Sequence, residues 1–271
     1  MKLTESTAAV MPDVQGSTDL RRIQIDRVGV RKVKHPLTIK NGQGDVLATV
    51  GMWETTVLLP ATEKGTHMSR FMGLIDEYHA QGMDATLFKQ MATAMLPLLN
   101  AEEGEIRVTF PYFITKKAPV SGVASMMDYE VTWTAIATTD GVRLITEVVV
   151  PVMSLCPCSK AISEYGAHNQ RSHVTVRLEA GSDYVLDDLI RAIEEQGSSQ
   201  LWALLKRPDE KYVTEYSYDN PKFVEDLIRD VALRLHQWPG MIAYRVEVEN
   251  FESIHNHSAY AMLEGRAESC R

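Results

Sequence analysis

The 271-residue chain predicts an α+β protein with largely antiparallel sheets. Three observations carry this expectation. Period-two segments rich in Val, Ile, Thr and aromatic residues come in pairs joined by Gly- or Pro-containing turns, and helical periodicity comes in separate blocks. The order strand, strand, helix, helix, strand, strand recurs roughly twice. No residue-level repeat accompanies it, so the duplication rests on element order alone.

Residues 1–20 contain Pro, Gly, Ser and Thr without periodicity and read as an arm that orders only where something covers it. A first module spans 21–140. Ile23, Ile25, Val28 and Val30 alternate with polar residues and glycine in a strand ending near Lys34, and a second strand covers 46–59 beyond the Gly42–Gly44 turn. Between Ser69 and Leu99, apolar residues at three- and four-residue spacings predict two amphipathic helices broken near Gly82, with Asp84 capping the second. Strands follow at 106–114, 129–138 and 142–153, the last two joined at Asp140-Gly141. The second module, 141–271, continues with a strand at 172–178, a helix at 186–195, a helix opened by Asn220-Pro221 as cap and first position, and strands at 243–251 and 258–263.

Composition narrows the function. An apolar fraction of 45% suffices for a packed core, and 28 Lys plus Arg against 36 Asp plus Glu leave a net charge of −8. This balance argues against nucleic acid or an anionic membrane as partner, although a local basic patch stays open. No run approaches a membrane span and no signal-peptide apolar region opens the sequence, so the expected location is cytoplasmic. Three cysteines build no disulfide framework. Cys156 and Cys158 are too close to staple a fold, and Cys270, the penultimate residue, reads as a thiol without a role.

The densest polar cluster is Ser154-Leu-Cys-Pro-Cys-Ser-Lys160 followed by Gly166-Ala-His-Asn-Gln-Arg-Ser-His173. A thiolate and imidazoles this close, at the end of a buried-looking strand, can supply part of a transition-metal shell, although the spacing fits no zinc finger. On an extended backbone Cys156 and Cys158 would share a face, whereas a turn at Pro157 would leave one sulfur pointing inward. Two small buried hydrophobes is the equal alternative, and a redox pair ranks last. Glu210, in what reads as a charged loop, and His255 and His257 are further donors. Each alone is more often a solvated surface residue.

These strings, with Glu252-Ser-Ile-His-Asn-His257, resemble the signature of type IB GTP cyclohydrolases from about Asp13 to Leu263. The resemblance implies a tunnelling fold of two four-strand, two-helix modules per subunit. Subunits would join sheets edge to edge into barrels and form a homotetramer with sites at subunit interfaces. It also implies a metal shell of Cys156, His168, Glu210 and His255, with Mn²⁺ favoured and Zn²⁺ or Fe²⁺ accepted. The implied reaction converts GTP and water to 7,8-dihydroneopterin triphosphate and formate, the first step of pterin and folate synthesis.

Opening a purine at C8 calls for an activated water and an acid that titrates near neutrality to protonate N7. His257 is the preferred acid and His173 the second candidate. Glu225 resembles the family's purine-anchoring glutamate, against a plain helical Glu paired with Arg229. Lys160 and Arg171 are the expected triphosphate ligands, and His67, in the Gly65–Arg70 run, is a residue that could reach a neighbouring subunit's site. The alternatives are a deazapurine nitrile reductase of the same fold, acting through a covalent cysteine, and a non-catalytic purine-binding module.

Overall fold

The computed structural model describes residues 14–181 and 184–267. Cys270 and most of the expected N-terminal arm lie outside them. Eight strands form one antiparallel sheet in sequence order: β1 (Ile25–Lys40), β2 (Val46–Leu59), β3 (Glu103–Lys117), β4 (Ala124–Thr138), β5 (Gly141–Leu155), β6 (Asn169–Ala180), β7 (Met241–Asn250) and β8 (Ala259–Arg266). Six helices interrupt it: α1 (Met68–Tyr78), α2 (Ala85–Leu99), α3 (Pro157–Ile162), α4 (Leu186–Glu194), α5 (Arg207–Asp219) and α6 (Val224–His236). The expected order therefore holds twice, with α3 and α5 added to the second round.

Strand alternation decides what the sheet covers. Val148, Val150 and Val152 of β5, Val174 and Val176 of β6 and Val246 and Val248 of β7 are fully buried and form one core with α1, α2, α4 and α6. The residues between them face the other side, where cross-strand ion pairs such as Arg143–Glu179 (2.7 Å) and Arg27–Glu105 (2.8 Å) lie. Among the described residues no helix is long and apolar enough to cross a membrane. Residues 14–20 lie along the 60–65 loop, with Asp19 N–H on Thr62 O (2.9 Å) and Lys64 N–H on Ser17 O (3.0 Å).

Three local readings are corrected. The first strand does not stop near Lys34 but runs to Lys40 through Pro36, which an edge strand tolerates because one side of its backbone needs no ladder partner. The charged loop around Glu210 is helix α5, with Pro208 and two acids in its first turn. Asn220 does not open the last helix. It ends α5 and gives its side-chain amide to the carbonyl oxygens of Gly197 (3.0 Å) and Ser198 (3.2 Å), while α6 starts at Val224 with Phe223 N–H on the Asp226 carboxylate (3.0 Å).

Candidate active site

The signature strings meet where β5 ends. Ser154 and Leu155 are buried, and Pro157 at the head of α3 turns the chain, so Cys156 becomes that helix's N-cap while Cys158 is left exposed. This is the one-sulfur outcome. Cys156 Sγ accepts the Ser159 N–H (3.5 Å), and Ser159 Oγ donates to Cys156 O (3.2 Å). Gly166, at φ 122, a conformation costly for any side chain, brings the chain back toward β6. On return, the Cys156 N–H donates to His168 O (3.1 Å) and the His168 N–H to Ser159 Oγ (3.2 Å). Cys156 and His168 are thus tied through backbone and Ser159, so two of the four expected ligands share one corner.

His168 is also held through its ring. Its Nδ1 lies 3.0 Å from Gln170 Oε1, and Gln170 Nε2 donates to Ser154 Oγ (2.8 Å). Ser172 Oγ is 2.8 Å from Ser154 Oγ and 2.7 Å from Asn250 Oδ1, so polar contacts run from β5 across β6 to the end of β7. Beyond Asn250 the chain enters the exposed 251–258 segment. There the Glu252 carboxylate stands 3.9 Å from His168 Nδ1, and the His255 and His257 rings stack at 5.1 Å. Sequence reasoning missed Ser154, Gln170, Ser172 and Asn250. The signal was polar residues at positions whose alternation demanded valine.

The other expected residues are spread more widely. Glu210 is exposed in the first turn of α5, whose far end touches the corner: Lys160 donates to Tyr218 O and sits over the Tyr218 ring at 4.3 Å. Eight residues, about 12 Å of helix, separate Glu210 from Tyr218. Among the described residues no three His, Cys, Asp or Glu side chains of one chain gather into a metal cage. Cys156 and His168 fit a divalent ion as sulfur and nitrogen donors, whereas Glu210 and His255 are exposed.

Glu225 is exposed in the first turn of α6, three residues beyond Lys222, whose N–H donates to Leu155 O (3.0 Å). His173 and Arg171 alternate with Gln170 and Ser172 and so lie on the opposite face of the sheet. His173 packs edge-on against Phe251 at 4.8 Å and lines a cavity of about 350 Å³ with Glu130, Thr175, Glu247, Glu249 and Tyr260. Burial and then Arg171 hold its imidazole below the usual histidine range, against the pull of Glu249. Within one chain His173 is therefore on the wrong side of the sheet to serve the Cys156 corner. His67 caps the start of α1, in the first module.

Solved structures share this architecture at low identity. The uricase from Arthrobacter globiformis aligns with a TM-score of 0.55 and 7% identity over 92% of this chain and 95% of its own, and that from Bacillus fastidious with 0.55 and 9% over 89% and 92%. The class is thus the uricase-like tunnelling fold, an α+β protein built on one continuous antiparallel sheet. Within that class the sequence is specific. Residues 11–261 match the family described as type I GTP cyclohydrolase folE2, and the chain belongs to that family. It is 63% identical to GTP cyclohydrolase FolE2 of Bordetella avium over 95% of this chain and 97% of that protein, and 59% identical to that of Paraburkholderia xenovorans over 95% and 96%. The nitrile reductase and the non-catalytic binding module find no support in these matches.

Proposed function

We propose that this chain opens the purine ring of GTP by hydrolysis, releasing formate and giving 7,8-dihydroneopterin triphosphate. The observation that carries the proposal is the Cys156–His168 corner, a cysteine and a histidine tied by the Cys156 N–H on His168 O and by the His168 N–H on the Ser159 hydroxyl, in a chain of the GTP cyclohydrolase family.

Cys156, His168, Glu210 and His255 would hold one divalent ion, Mn²⁺ before Zn²⁺ or Fe²⁺, and the cage would close on assembly of a homotetramer through the open edges β1 and β8. A bound ion would supply a lowered pKa for water at neutral pH. His257, stacked on His255, donates the proton that N7 takes up as C8 is attacked. His173, on the far face, is retained only as a group a neighbouring subunit could recruit. Glu225 accepts the N1–H and N2 amino donors of guanine, a pairing adenine lacks. Lys160 exchanges the Tyr218 carbonyl oxygen for a phosphate oxygen, and Arg171, on the far face with His173, would add a second cation to a neighbouring subunit's site.

The test incubates metal-stripped protein with GTP, restores Mn²⁺, Zn²⁺ or Mg²⁺ separately, and assays formate and the fluorescence of the oxidised pterin. Both products are expected with Mn²⁺, and absence of both under every ion would refute the activity.

A further inference from the structure

We infer that the line of polar contacts from Asn250 to His168 dictates which ring nitrogen of His168 carries the proton, which makes Asn250, Ser172, Ser154 and Gln170 positioning residues. The inference rests on the reading of His168 as a metal ligand and adds the device that prepares it.

The direction of the line follows from counting hydrogens. Ser154 and Ser172 are 0% exposed, Asn250 3% and Gln170 8%, so their hydrogens are spent within the chain. Asn250 Oδ1 can only accept, so Ser172 gives its single hydroxyl hydrogen to it across 2.7 Å. Ser172 stands as a donor to both oxygens but has one hydroxyl hydrogen, so with it spent on Asn250 the 2.8 Å contact between the two serines falls to the hydrogen of Ser154. With that hydrogen spent, Ser154 Oγ accepts from Gln170 Nε2 at 2.8 Å, which turns Gln170 Oε1 toward the ring. An amide oxygen 3.0 Å from Nδ1 requires the proton on Nδ1. The neutral imidazole is left with its lone pair on Nε2, the form in which histidine binds a metal while its other nitrogen is held by a partner. Glu252, at 3.9 Å, is too distant to take that hydrogen.

The line costs stability. Next along the same face of β5, β6 and β7 come buried valines: 148, 150 and 152, then 174 and 176, then 246 and 248. The rows nearest Cys156 and His168 replace valine with serine, glutamine and asparagine, where apolar residues would avoid desolvating polar groups. Ser172 and Asn250 are cross-strand neighbours, and Asn250 O accepts the Glu252 N–H (3.0 Å) at the start of the segment bearing His255 and His257. The line therefore also ties that segment's root to the ring of His168.

The test uses full-length protein with ¹⁵N-labelled histidine, metal-free at neutral pH, with His168→Gln assigning the ring signals. The native protein is expected to show His168 solely as the Nδ1–H tautomer. Ser172→Ala, which cuts the line two residues away from the ring, is expected to populate the Nε2–H form and to weaken Zn²⁺ binding about ten- to a hundredfold by competition with a chromogenic chelator. Asn250→Asp, which keeps an acceptor at the end, is expected to preserve the native tautomer. Should Ser172→Ala fail to fold, Ser154→Ala interrupts the same line. An Nε2–H tautomer in the native protein, or a cut line that leaves tautomer or Zn²⁺ affinity unchanged, would overturn the inference. Native protein that binds no Zn²⁺ would refute the ligand assignment instead, and the tautomer spectra would still decide the line's direction.

Discussion

Strands β1–β4 with α1 and α2 bury Trp53, Phe71, Phe88, Met91 and Met95, and the buried polar residues of that half are threonines, Thr55, Thr56, Thr66 and Thr132. Strands β5–β8 with their helices follow the same plan yet bury Ser154, Gln170, Asp187, Glu194, Asp209 and Asn250. Three of these are carboxylates, and each reaches back into the first half. Asp187 accepts from Tyr112 OH, and Glu194 accepts from Tyr129 OH (2.7 Å) and Lys116 Nζ (2.7 Å). Asp209 accepts from the Ser121 hydroxyl (2.6 Å) and the Val120 N–H (2.9 Å). One copy of the plan thus serves as an apolar platform, and the other, which carries the site, is fastened to it by carboxylates.

Substitutions in the two halves should separate chemistry from stability. The largest effect is expected from Cys156→Ala, which should abolish both metal binding and formate release while circular dichroism and Tm stay native; full activity would refute the shell. Phe88→Ala, in the platform, should cost about 3–5 kcal/mol in denaturant unfolding and leave turnover per folded molecule unchanged.

Glu194→Gln leaves Lys116, whose side chain is 9% exposed, without its countercharge. Breaking such a buried pair should cost about 3–5 kcal/mol, at the upper end no more than the platform's aromatic. Burial alone would raise the Asp209 carboxyl, but hydrogen bonds led by the Ser121 hydroxyl hold it well below the usual range. Its stabilisation is therefore complete above about pH 4 and drains away as pH falls toward the folded-state value. Asp209→Asn should lower Tm at neutral pH and flatten the acid limb of a Tm-against-pH series; an unaltered limb would remove Asp209 from the joint. The smallest effect is expected for Lys211→Ala, which breaks an exposed pair with Glu215 (2.5 Å) on α5 and should change stability by less than about 0.5 kcal/mol.

Periodicity made most of the first half legible: Asp84 does cap α2, accepting the Leu87 N–H (2.8 Å), and the strand pairs lie where Val, Ile and Thr alternate, whereas β1, with register shifts between Ile25 and Val28 and between Val30 and Val33, was read short. The second half was harder to read wherever it bends rules for its site. Helix α5 hid behind charge because Tyr212, Tyr216 and Tyr218 leave it little apolar stripe, although Pro208-Asp209-Glu210 carried the start signal. The Cys156 and His168 strings were visible as chemistry, but a motif does not reveal that a serine, a glutamine and an asparagine from three strands align behind the imidazole. His173 lies on the far face of β6 from Gln170 and Ser172, and its spacing from His168 did not show this because His168 stands before the strand begins at Asn169.

The hairpin between β4 and β5 has a further consequence. Its ladder closes with Thr138 opposite Gly141, so residues 139 and 140 contribute no strand pairing. A backbone nick there would leave every inter-strand bond in place, and new termini at that point would turn the protein into a circular permutant or into two fragments able to reunite along one shared seam.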